Sequence, residues 1–273
     1  MFGIICQEDL PGHSLFLNFK LALKNYFACE FTNVKSVYDL NGLTTLFIVD
    51  EHFGPHVDIW KNLYFIDTAN RQNIKVVVFN FEKIYSSQFP WNVDHQNTLK
   101  KFNNLIQFVT DIDDAKILNS NVINKQFLSK DTVLVNIKEK NNKVVFIGQV
   151  NQWYPTRQKI INEFKSLNIP FDVIVTDRKL SYNEFLEKLN EYKFVLNPLG
   201  TGNFLNLRFY EALKLGCIPI QQVTSSMKSF YTKELSHCIS FENISDLKNL
   251  DINYRQMDYY LEDYFTDINL KNY

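Results

Sequence analysis

Short apolar runs alternate with segments of helical periodicity along the whole chain. The runs are rich in β-branched and aromatic residues, as in Thr44–Val49 and Lys75–Phe79, and such runs are typical of buried strands. Between the runs, apolar side chains recur every three or four positions, as in Ser14–Tyr26, which is the spacing of an amphipathic helix. Repeated alternation of this kind predicts an α/β fold with parallel sheets covered by helices.

Each run and each periodic segment gives an element with defined limits. The predicted strands are Phe2–Cys6, Thr44–Val49, Lys75–Phe79, Ile106–Thr110, Lys143–Gly148, Phe171–Val175, Phe194–Asn197, Cys217–Gln221 and Cys238–Phe241. The predicted helices are Ser14–Tyr26, Val57–Asn70, Asn97–Leu105, Asp113–Leu118, Pro155–Leu167, Ser181–Tyr192, Asn206–Leu215, Ser225–Glu234 and Met257–Asn272.

A polar stretch rich in Asn and Lys, residues 120–142, interrupts the alternation near the middle of the chain. Because the pattern restarts after it, we expect two Rossmann-like domains, residues 1–130 and 131–273, that face each other across a cleft. The final helix, rich in Tyr and Phe, is expected to pack back on the body. In such sheets ligands bind beyond the carboxyl ends of the strands, so the informative residues are those that follow each strand.

The charge balance and cysteine pattern exclude several classes of protein. The 273 residues carry 29 Lys and Arg against 30 Asp and Glu, whereas nucleic-acid-binding proteins usually present a strongly basic face. No apolar run reaches about 18 residues, the length that crosses a membrane. The four cysteines show no CxxC pairing, which favours a reducing compartment. We therefore expect a cytoplasmic protein with no nucleic-acid partner and no transmembrane segment.

The segment Asn197–Ala212 follows a predicted strand and is the richest in candidate chemistry. The strand leads into a glycine-containing loop that opens a helix, an arrangement that directs backbone N–H groups and the positive helix end at an anion. Arg208 could hold a phosphate with its planar guanidinium, and Glu211 could accept sugar hydroxyls. The alternative is a plain loop in which these two side chains pair on a solvated helix face.

The run Asn206–Ile220 resembles the donor-binding helix of glycosyltransferases with two Rossmann-like domains, the GT-B class. Arg208, then Glu211-Ala212, then Gly216-Cys217-Ile218-Pro219 is similar to the exostosin-type pattern, and the spore-coat-type enzymes are similar as well. The resemblance extends over Lys143–Val223, while the N-terminal half matches no motif. It implies a nucleotide-sugar donor bound by the C-terminal domain and catalysis without a metal.

The same resemblance implies which residues bind the donor. Gly148 ends the opening strand, and Arg157 matches a position near the diphosphate; a cation at a helix N-terminus is unfavourable unless an anion is bound, and a surface arginine is the alternative. Tyr182 could stack on the base and Asp177 could accept a hydrogen bond, unless an Asp or Ser here caps the next helix. The predicted donor-binding set is Gly148, Arg157, Asp177, Tyr182, Thr201, Gly202, Asn203, Asn206, Arg208 and Glu211.

One position departs from the pattern of many retaining enzymes of this fold, which have two Glu residues eight positions apart. Glu211 matches the second, but Asn203 occupies the first. Either Asn203 hydrogen-bonds the sugar without a charge, or the donor is oriented differently. The sequence therefore leaves the stereochemical outcome open.

The N-terminal half offers candidates for a general base. His13 follows the first predicted strand and Asp50 follows the second, so either could deprotonate an acceptor hydroxyl. His52 is a further candidate. Histidine titrates near neutrality, although a lone histidine is more often structural or solvated.

Two patterns suggest a metal but have simpler explanations. Asp111-Ile112-Asp113 matches the metal-binding DxD of single-domain glycosyltransferases. However, Asp111 or Asp113 could equally serve as the N-cap of the following helix. His52 and His56 have the spacing of a zinc pair on a helix, but Gly54-Pro55 lies between them and prevents the helix. We expect no metal.

These observations predict a metal-independent glycosyltransferase without a cofactor. It would transfer a sugar from a UDP- or GDP-sugar to a glycan or other hydroxyl acceptor. The alternative is a non-catalytic relative that binds a nucleotide or glycan and recruits a partner. A dinucleotide oxidoreductase is disfavoured because no GxGxxG follows a predicted strand. The sequence leaves the sugar, the acceptor and the oligomeric state open.

Overall fold

A computed structural model describes residues 1–6, 15–50, 59–81, 83–85, 91–123, 139–152, 154–176, 180–248 and 250. The chain is α/β, with one six-stranded and one five-stranded sheet whose pairings are all parallel in the described part. Contacts divide the chain into two compact units, each containing one sheet. The predicted fold class is confirmed at this level. The predicted boundary between residues 130 and 131 and the helix Met257–Asn272 lie outside the described residues.

Unit 1 carries its strands in the order β2-β1-β3-β4-β5-β6. Its strands are β1 (Phe2–Cys6), β2 (Thr32–Asn33), β3 (Thr45–Asp50), β4 (Lys75–Asn80), β5 (Leu105–Val109) and β6 (Asn121–Val122). Its helices are α1 (Leu15–Phe27), α2 (Ile59–Arg71), α3 (Trp91–Leu99) and α4 (Ile112–Leu118), with a 3-10 turn at Val37–Leu40. Because β2 and β3 lie on opposite sides of β1, the strand order reverses there, which makes the β1–β3 edge a topological switch point.

The sheet of unit 1 buries both faces, as expected for parallel strands between helices. On one face Ile48 and Val78 belong to a buried cluster that includes Ile66 of α2. On the other face Phe79 meets Phe19 of α1, with ring centroids 4.7 Å apart. Near-continuous apolar runs at β3 and β4 are therefore explained by burial on both sides.

Unit 2 carries its strands in the order β11-β10-β9-β7-β8. Its strands are β7 (Asn141–Gly148), β8 (Phe171–Val175), β9 (Tyr192–Asn197), β10 (Ile218–Gln222) and β11 (Ile239–Phe241). Its helices are α5 (Pro155–Lys165), α6 (Tyr182–Asn190), α7 (Leu207–Lys214), α8 (Ser225–Phe230) and α9 (Thr232–Leu235), with a 3-10 turn at Ile244–Leu247. After β8 the chain crosses to the other side of β7, so the carboxyl ends of β7 and β9 form the switch point of this sheet.

Alternate residues of β7 define the two cores of unit 2. Phe146 packs in a cluster with Phe164 of α5, and Ile147 packs in a second cluster with Leu189 of α6 and Ala212 of α7. The helices thus cover both faces and leave the strand ends to hold polar side chains.

The predicted strands all coincide with observed strands to within two residues, but two helix predictions were wrong. The helix expected at Asn97–Leu105 is α3, which ends at Leu99, because Phe102 N–H bonds the Leu99 carbonyl in a turn that leads into β5. The helix expected at Ser225–Glu234 is broken at Tyr231 into α8 and α9. The two-residue strands β2 and β6 were too short to give a periodic signal.

Within the described part of the chain, no helix combines the length and the apolar character that a membrane crossing requires.

Candidate functional site

The carboxyl edge of the unit 2 sheet gathers most of the predicted donor-binding residues. β7 ends at Gly148 and β9 at Asn197, and these two strands flank the switch point. The loop after β7 leads to Arg157 in the first turn of α5, and the loop after β9 leads to Arg208 in the first turn of α7. Sequence-distant arginines are thereby attached to neighbouring strand ends.

The loop after β9 is closed by an amide pair between its two ends. Asn197 donates to Asn206 Oδ1 at 3.0 Å, and Asn206 donates back to Asn197 Oδ1 at 3.1 Å. Asn206 is also the N-cap of α7, where its side chain accepts from the Phe209 N–H. The side chain that caps the helix therefore also fixes residues 198–205, including Thr201, Gly202 and Asn203.

Two glutamines of β10 extend this amide network. Asn197 donates to Gln221 Oε1 at 2.6 Å, and both side chains are fully buried. Gln222 Oε1 accepts from the Leu199 N–H at 3.1 Å. Sequence reasoning missed Asn197, Gln221 and Gln222 as site residues, although polar side chains at the ends of two buried strands were a visible signal.

Arg208 lies against β7 and the amide network. It donates from Nη1 to Asn197 Oδ1 at 3.4 Å, and its guanidinium carbon lies 5.4 Å from the centre of the Phe146 ring. Its Nε is buried without a hydrogen-bond partner. A Cβ on Gly148 would overlap Arg208 Nη2, so glycine at the end of β7 permits this close approach.

Arg157 is 6% exposed and connects two loops. It donates from Nη1 to the Gln149 carbonyl at 3.0 Å, and its guanidinium carbon lies 3.6 Å from the centre of the Tyr154 ring. A Cβ on Gly200 would stand 4.0 Å from Arg157 Nη2. The surface-arginine alternative is therefore wrong, because this guanidinium is buried between the loops that follow β7 and β9.

The two arginines raise the positive potential at this edge. Burial and, to a smaller extent, the positive charge of Arg157 lower the pKa of Arg208 to about 9, against the opposing effects of Glu211 and Tyr154. Like charges held together in a low-dielectric site repel each other strongly. An anion between them would relieve this repulsion.

Glu211 is 2% exposed, one turn after Arg208. Burial raises the pKa of its carboxyl to about 7, against the opposing effects of a hydrogen bond from Tyr182 and the charge of Arg208. The alternative of an Arg208–Glu211 pair on a solvated helix face is wrong, since the carboxyl is inside the unit. Its protonation state changes near neutral pH.

The segment after β8, which is predicted to bind the base of the nucleotide, is described only in part. The Tyr182 hydroxyl bonds Glu211, and its ring lies stacked on Phe185 with centroids 6.3 Å apart. Ser181 caps α6 in a reciprocal capping box with Glu184, which confirms the helix-cap interpretation for the serine. Asp177 lies outside the described residues, and its role stays a prediction.

Of the candidate general bases in the N-terminal half of the chain, only Asp50 is described, and only by its backbone. Asp50 is the last residue of β3 and the register partner of Asn80 in β4. β3 borders the switch point, so the topology fits a ligand-facing role for this strand end. His13 and His52 lie outside the described residues, and all three roles stay predictions.

The DxD triplet is a helix cap. Asp111 is fully buried, and its Oδ1 accepts from the N–H groups of Asp113 and Asp114 at 2.9 and 3.0 Å. Both bonds satisfy donors at the start of α4. Among the residues that the structure describes, no group of three His, Cys, Asp or Glu could hold a metal ion.

No protein-family model matches this chain, and no curated protein sequence matches it at a significant level.

Proposed function

We propose that unit 2 binds the diphosphate of a nucleotide sugar and that the protein is a metal-independent glycosyltransferase. The observation that carries the proposal is the pair of arginines at the carboxyl edge of a parallel sheet: the charge of Arg157 helps to lower the pKa of Arg208, and Arg208 Nε is buried and unbonded. A diphosphate offers charge and acceptor oxygens for both guanidiniums. The resemblance of Asn206–Ile220 to a donor-binding helix supports the same ligand.

The two guanidiniums would stabilise the leaving group in this reaction. The acceptor oxygen forms a bond to the anomeric carbon while the bond from that carbon to the phosphate oxygen breaks. Negative charge then develops on the diphosphate, and fixed positive groups are most effective where such charge develops. The proton of the acceptor hydroxyl passes to a base, for which His13 and Asp50 are the candidates.

Glu211 and Tyr182 would orient the donor beside the diphosphate. An ionised Glu211 accepts hydrogen bonds from ribose or sugar hydroxyls, and Tyr182 holds the carboxylate by its own hydroxyl. With a pKa of about 7 for Glu211, this acceptor function strengthens as the pH rises through neutrality.

A ligand screen followed by an activity assay tests the proposal. UDP, GDP, CMP and dTDP are added in turn, and a nucleoside diphosphate is expected to raise the melting temperature by mass action. Hydrolysis of the matching nucleotide sugars is then measured with and without EDTA, and turnover that survives EDTA is expected. Absence of any nucleotide stabilisation contradicts the proposal.

A non-catalytic relative is the second candidate, favoured by one position. Asn203 stands where many retaining enzymes of this fold have a Glu, so an acidic group is missing from the predicted sugar end of the site. Nucleotide binding without hydrolysis or transfer on a broad panel of glycan acceptors identifies this case.

A further inference from the structure

The side chain of Asn197 uses its whole hydrogen-bonding capacity. Its amide has two N–H donors and one oxygen that can accept two bonds. The nitrogen donates to Asn206 Oδ1 at 3.0 Å and to Gln221 Oε1 at 2.6 Å. The oxygen accepts from Asn206 Nδ2 at 3.1 Å and from Arg208 Nη1 at 3.4 Å. Because Asn197 is fully covered, these partners decide which way round its amide lies.

Two backbone groups fix the orientation of the amides in this network. A backbone N–H only donates, and a backbone carbonyl only accepts. The Phe209 N–H donates to Asn206 Oδ1 at 3.3 Å, which leaves Asn206 Nδ2 to face the oxygen of Asn197. The Gln222 carbonyl accepts from Gln221 Nε2 at 2.6 Å, which leaves Gln221 Oε1 to face the nitrogen of Asn197. Both ends of the network therefore require the same orientation of Asn197.

This orientation supplies the atom that Arg208 needs. A guanidinium has only donors, and the atom of Asn197 that faces it is the oxygen. A rotated amide would direct N–H groups at Arg208 and at Asn206 Nδ2, and it would place its oxygen against Gln221 Oε1. Unmade hydrogen bonds are costly in a buried network, so Asn197 holds one orientation. The N-cap of α7 and the last residues of β10 thus together present an acceptor to Arg208.

The register of the sheet brings these side chains to one face. Asn197 and Gln221 are partners in the pairing of β9 with β10, so their side chains share a face. Val195, two residues before Asn197, packs on that face with Ala212 of α7, the helix that carries Arg208 in its first turn. Arg208 is only partly buried, whereas Asn197 and Gln221 are fully covered. A ligand would therefore touch the arginine and not the amides.

We propose that Asn197 is a positioning residue, held by Asn206 and Gln221, that fixes the guanidinium of Arg208 for binding an anion. An arginine that is ordered beforehand loses less freedom when the anion binds, so its affinity is higher. A neutral amide also leaves the positive charge of Arg208 available to the ligand, whereas a carboxylate at position 197 would pair with it. The role rests on the proposed function, since it takes the anion to be the diphosphate of a nucleotide sugar.

Three variants of the intact chain test the role. Asn197→Asp keeps the shape but places a carboxylate against Arg208, Asn197→Leu removes the amide, and Gln221→Met removes the anchor on β10 without touching Arg208. The affinities for UDP and GDP are measured by isothermal titration calorimetry. For the nucleotide that binds the parent more tightly, we expect a loss of about thirtyfold in Asn197→Asp, about tenfold in Asn197→Leu and about threefold in Gln221→Met.

The Arg208→Ala background separates positioning from a general loss of structure. Because Asn197 acts through the guanidinium, Asn197→Leu and Gln221→Met are expected to change the affinity by less than about twofold once Arg208 is alanine. A merely structural role would weaken nucleotide binding by the same factor in both backgrounds.

Gln96→Met is the matched control in unit 1. Gln96 is fully buried and accepts from Gln107 Nε2 at 2.7 Å, so this variant also breaks a buried pair of side-chain amides. It is expected to lower the melting temperature to a similar extent as Gln221→Met, because a partner amide is left unbonded in both, and to keep the nucleotide affinity of the parent.

The Nε–H signal of Arg208 in proton–nitrogen correlation NMR gives a readout without nucleotide. The chain has five arginines, and the signal that Arg208→Ala removes is the one to follow. We expect this signal to shift or broaden in Asn197→Leu and Gln221→Met, because the guanidinium loses its fixed partner, and to stay unchanged in Gln96→Met.

Two results would overturn the positioning role. One is equal weakening of nucleotide binding with and without Arg208, and the other is an Arg208 signal that neither Asn197→Leu nor Gln221→Met changes. Should Asn197→Leu not fold, Gln221→Met decides the same question. If neither UDP nor GDP binds the parent, the proposed function fails, and the Arg208 signal still shows whether Asn197 holds the guanidinium. The two proposals can therefore fail independently.

Discussion

The carboxyl edges of the two sheets have the same topology but opposite chemistry. In both units the first strand in the chain lies between the second and the third in the sheet, which creates a switch point. Unit 2 places Arg157, Arg208 and Glu211 at this edge, and burial together with the neighbouring charges shifts the pKa of Arg208 down and that of Glu211 up. The described part of the unit 1 edge has neutral unbonded groups, and the carboxylates of Asp111 and Asp114 there accept hydrogen bonds from backbone N–H groups. Topology therefore predicts where a ligand would bind, and the side chains at each edge predict its chemistry.

The largest expected effect tests the charged edge. The double variant Arg157→Ala/Arg208→Ala is expected to weaken binding of the best nucleoside diphosphate by about 4 kcal/mol, roughly a thousandfold, because two charge-assisted contacts are lost. Isothermal titration calorimetry measures the change. Arg71→Ala is the control, since that side chain is 76% exposed and paired with Asp67 within α2. Binding within threefold of the parent would remove the arginines from the site.

The second prediction concerns Glu211 and pH. Its folded pKa of about 7 lies above the ordinary 4.5, so the folded protein binds the proton more tightly and loses stability as the pH rises from about 4.5 to 7. Glu211→Gln removes this penalty and is expected to exceed the parent in unfolding free energy by up to about 3 kcal/mol at pH 8, with little difference at pH 4. Urea unfolding at both pH values measures it. A gap that does not change with pH would show that Glu211 ionises normally.

The third prediction separates a helix cap from a metal ligand in unit 1. Asp111→Ala is expected to cost about 1–2 kcal/mol of unfolding free energy, whereas Asp111→Asn keeps a capping oxygen and costs a few tenths. Urea unfolding with and without EDTA measures both. Sensitivity of the parent to EDTA, together with an equal loss in the two variants, would favour the metal interpretation of the triplet.

The fourth prediction, of similar size to the third, concerns the close approach of Arg208 to Gly148 at the end of β7. Gly148→Ala places a Cβ where Arg208 Nη2 lies, so the guanidinium must move and nucleotide affinity is expected to fall about tenfold, or about 1.4 kcal/mol. Gly42→Ala serves as a control for lost glycine, because its φ of +78° strains alanine but a Cβ there meets nothing within 4 Å. Equal nucleotide affinity in Gly148→Ala and the parent would show that Arg208 does not contact the ligand from this position.

The helix predictions show where periodicity fails. The apolar positions Leu99, Phe102 and Leu105 repeat every three residues, yet Leu99 ends α3, Phe102 lies in a turn and Leu105 begins β5. All three are near the same core, and a turn between a helix and a strand can deliver the same spacing as a continuous helix. The spacing of apolar residues therefore indicates which side chains are buried, but it does not determine whether the backbone between them is a helix, a turn or a strand.

The charged residues of the candidate site in unit 2 could be predicted from the sequence, but its buried amide side chains could not. Arg157, Arg208 and Glu211 follow strands and carry charge, so the sequence selects them directly. Asn197, Gln221 and Gln222 bind one another across β9, β10 and the following loop. Their importance depends on the strand order, because β9 and β10 must be neighbours before these amides can meet.

The sequence by itself determined the strand–helix alternation, and hence the parallel sheets, since burial on both faces of a strand requires an uninterrupted apolar run. It also determined the caps at Asp111, Ser181 and Asn206, because those bonds join residues only a few positions apart. Only the tertiary structure decided that Glu211 is buried, that Arg208 lies against Gly148, and that Asn80 and Thr110 lack partners. Burial, close approach and unbonded atoms depend on every element that surrounds a residue, and no local pattern contains that information.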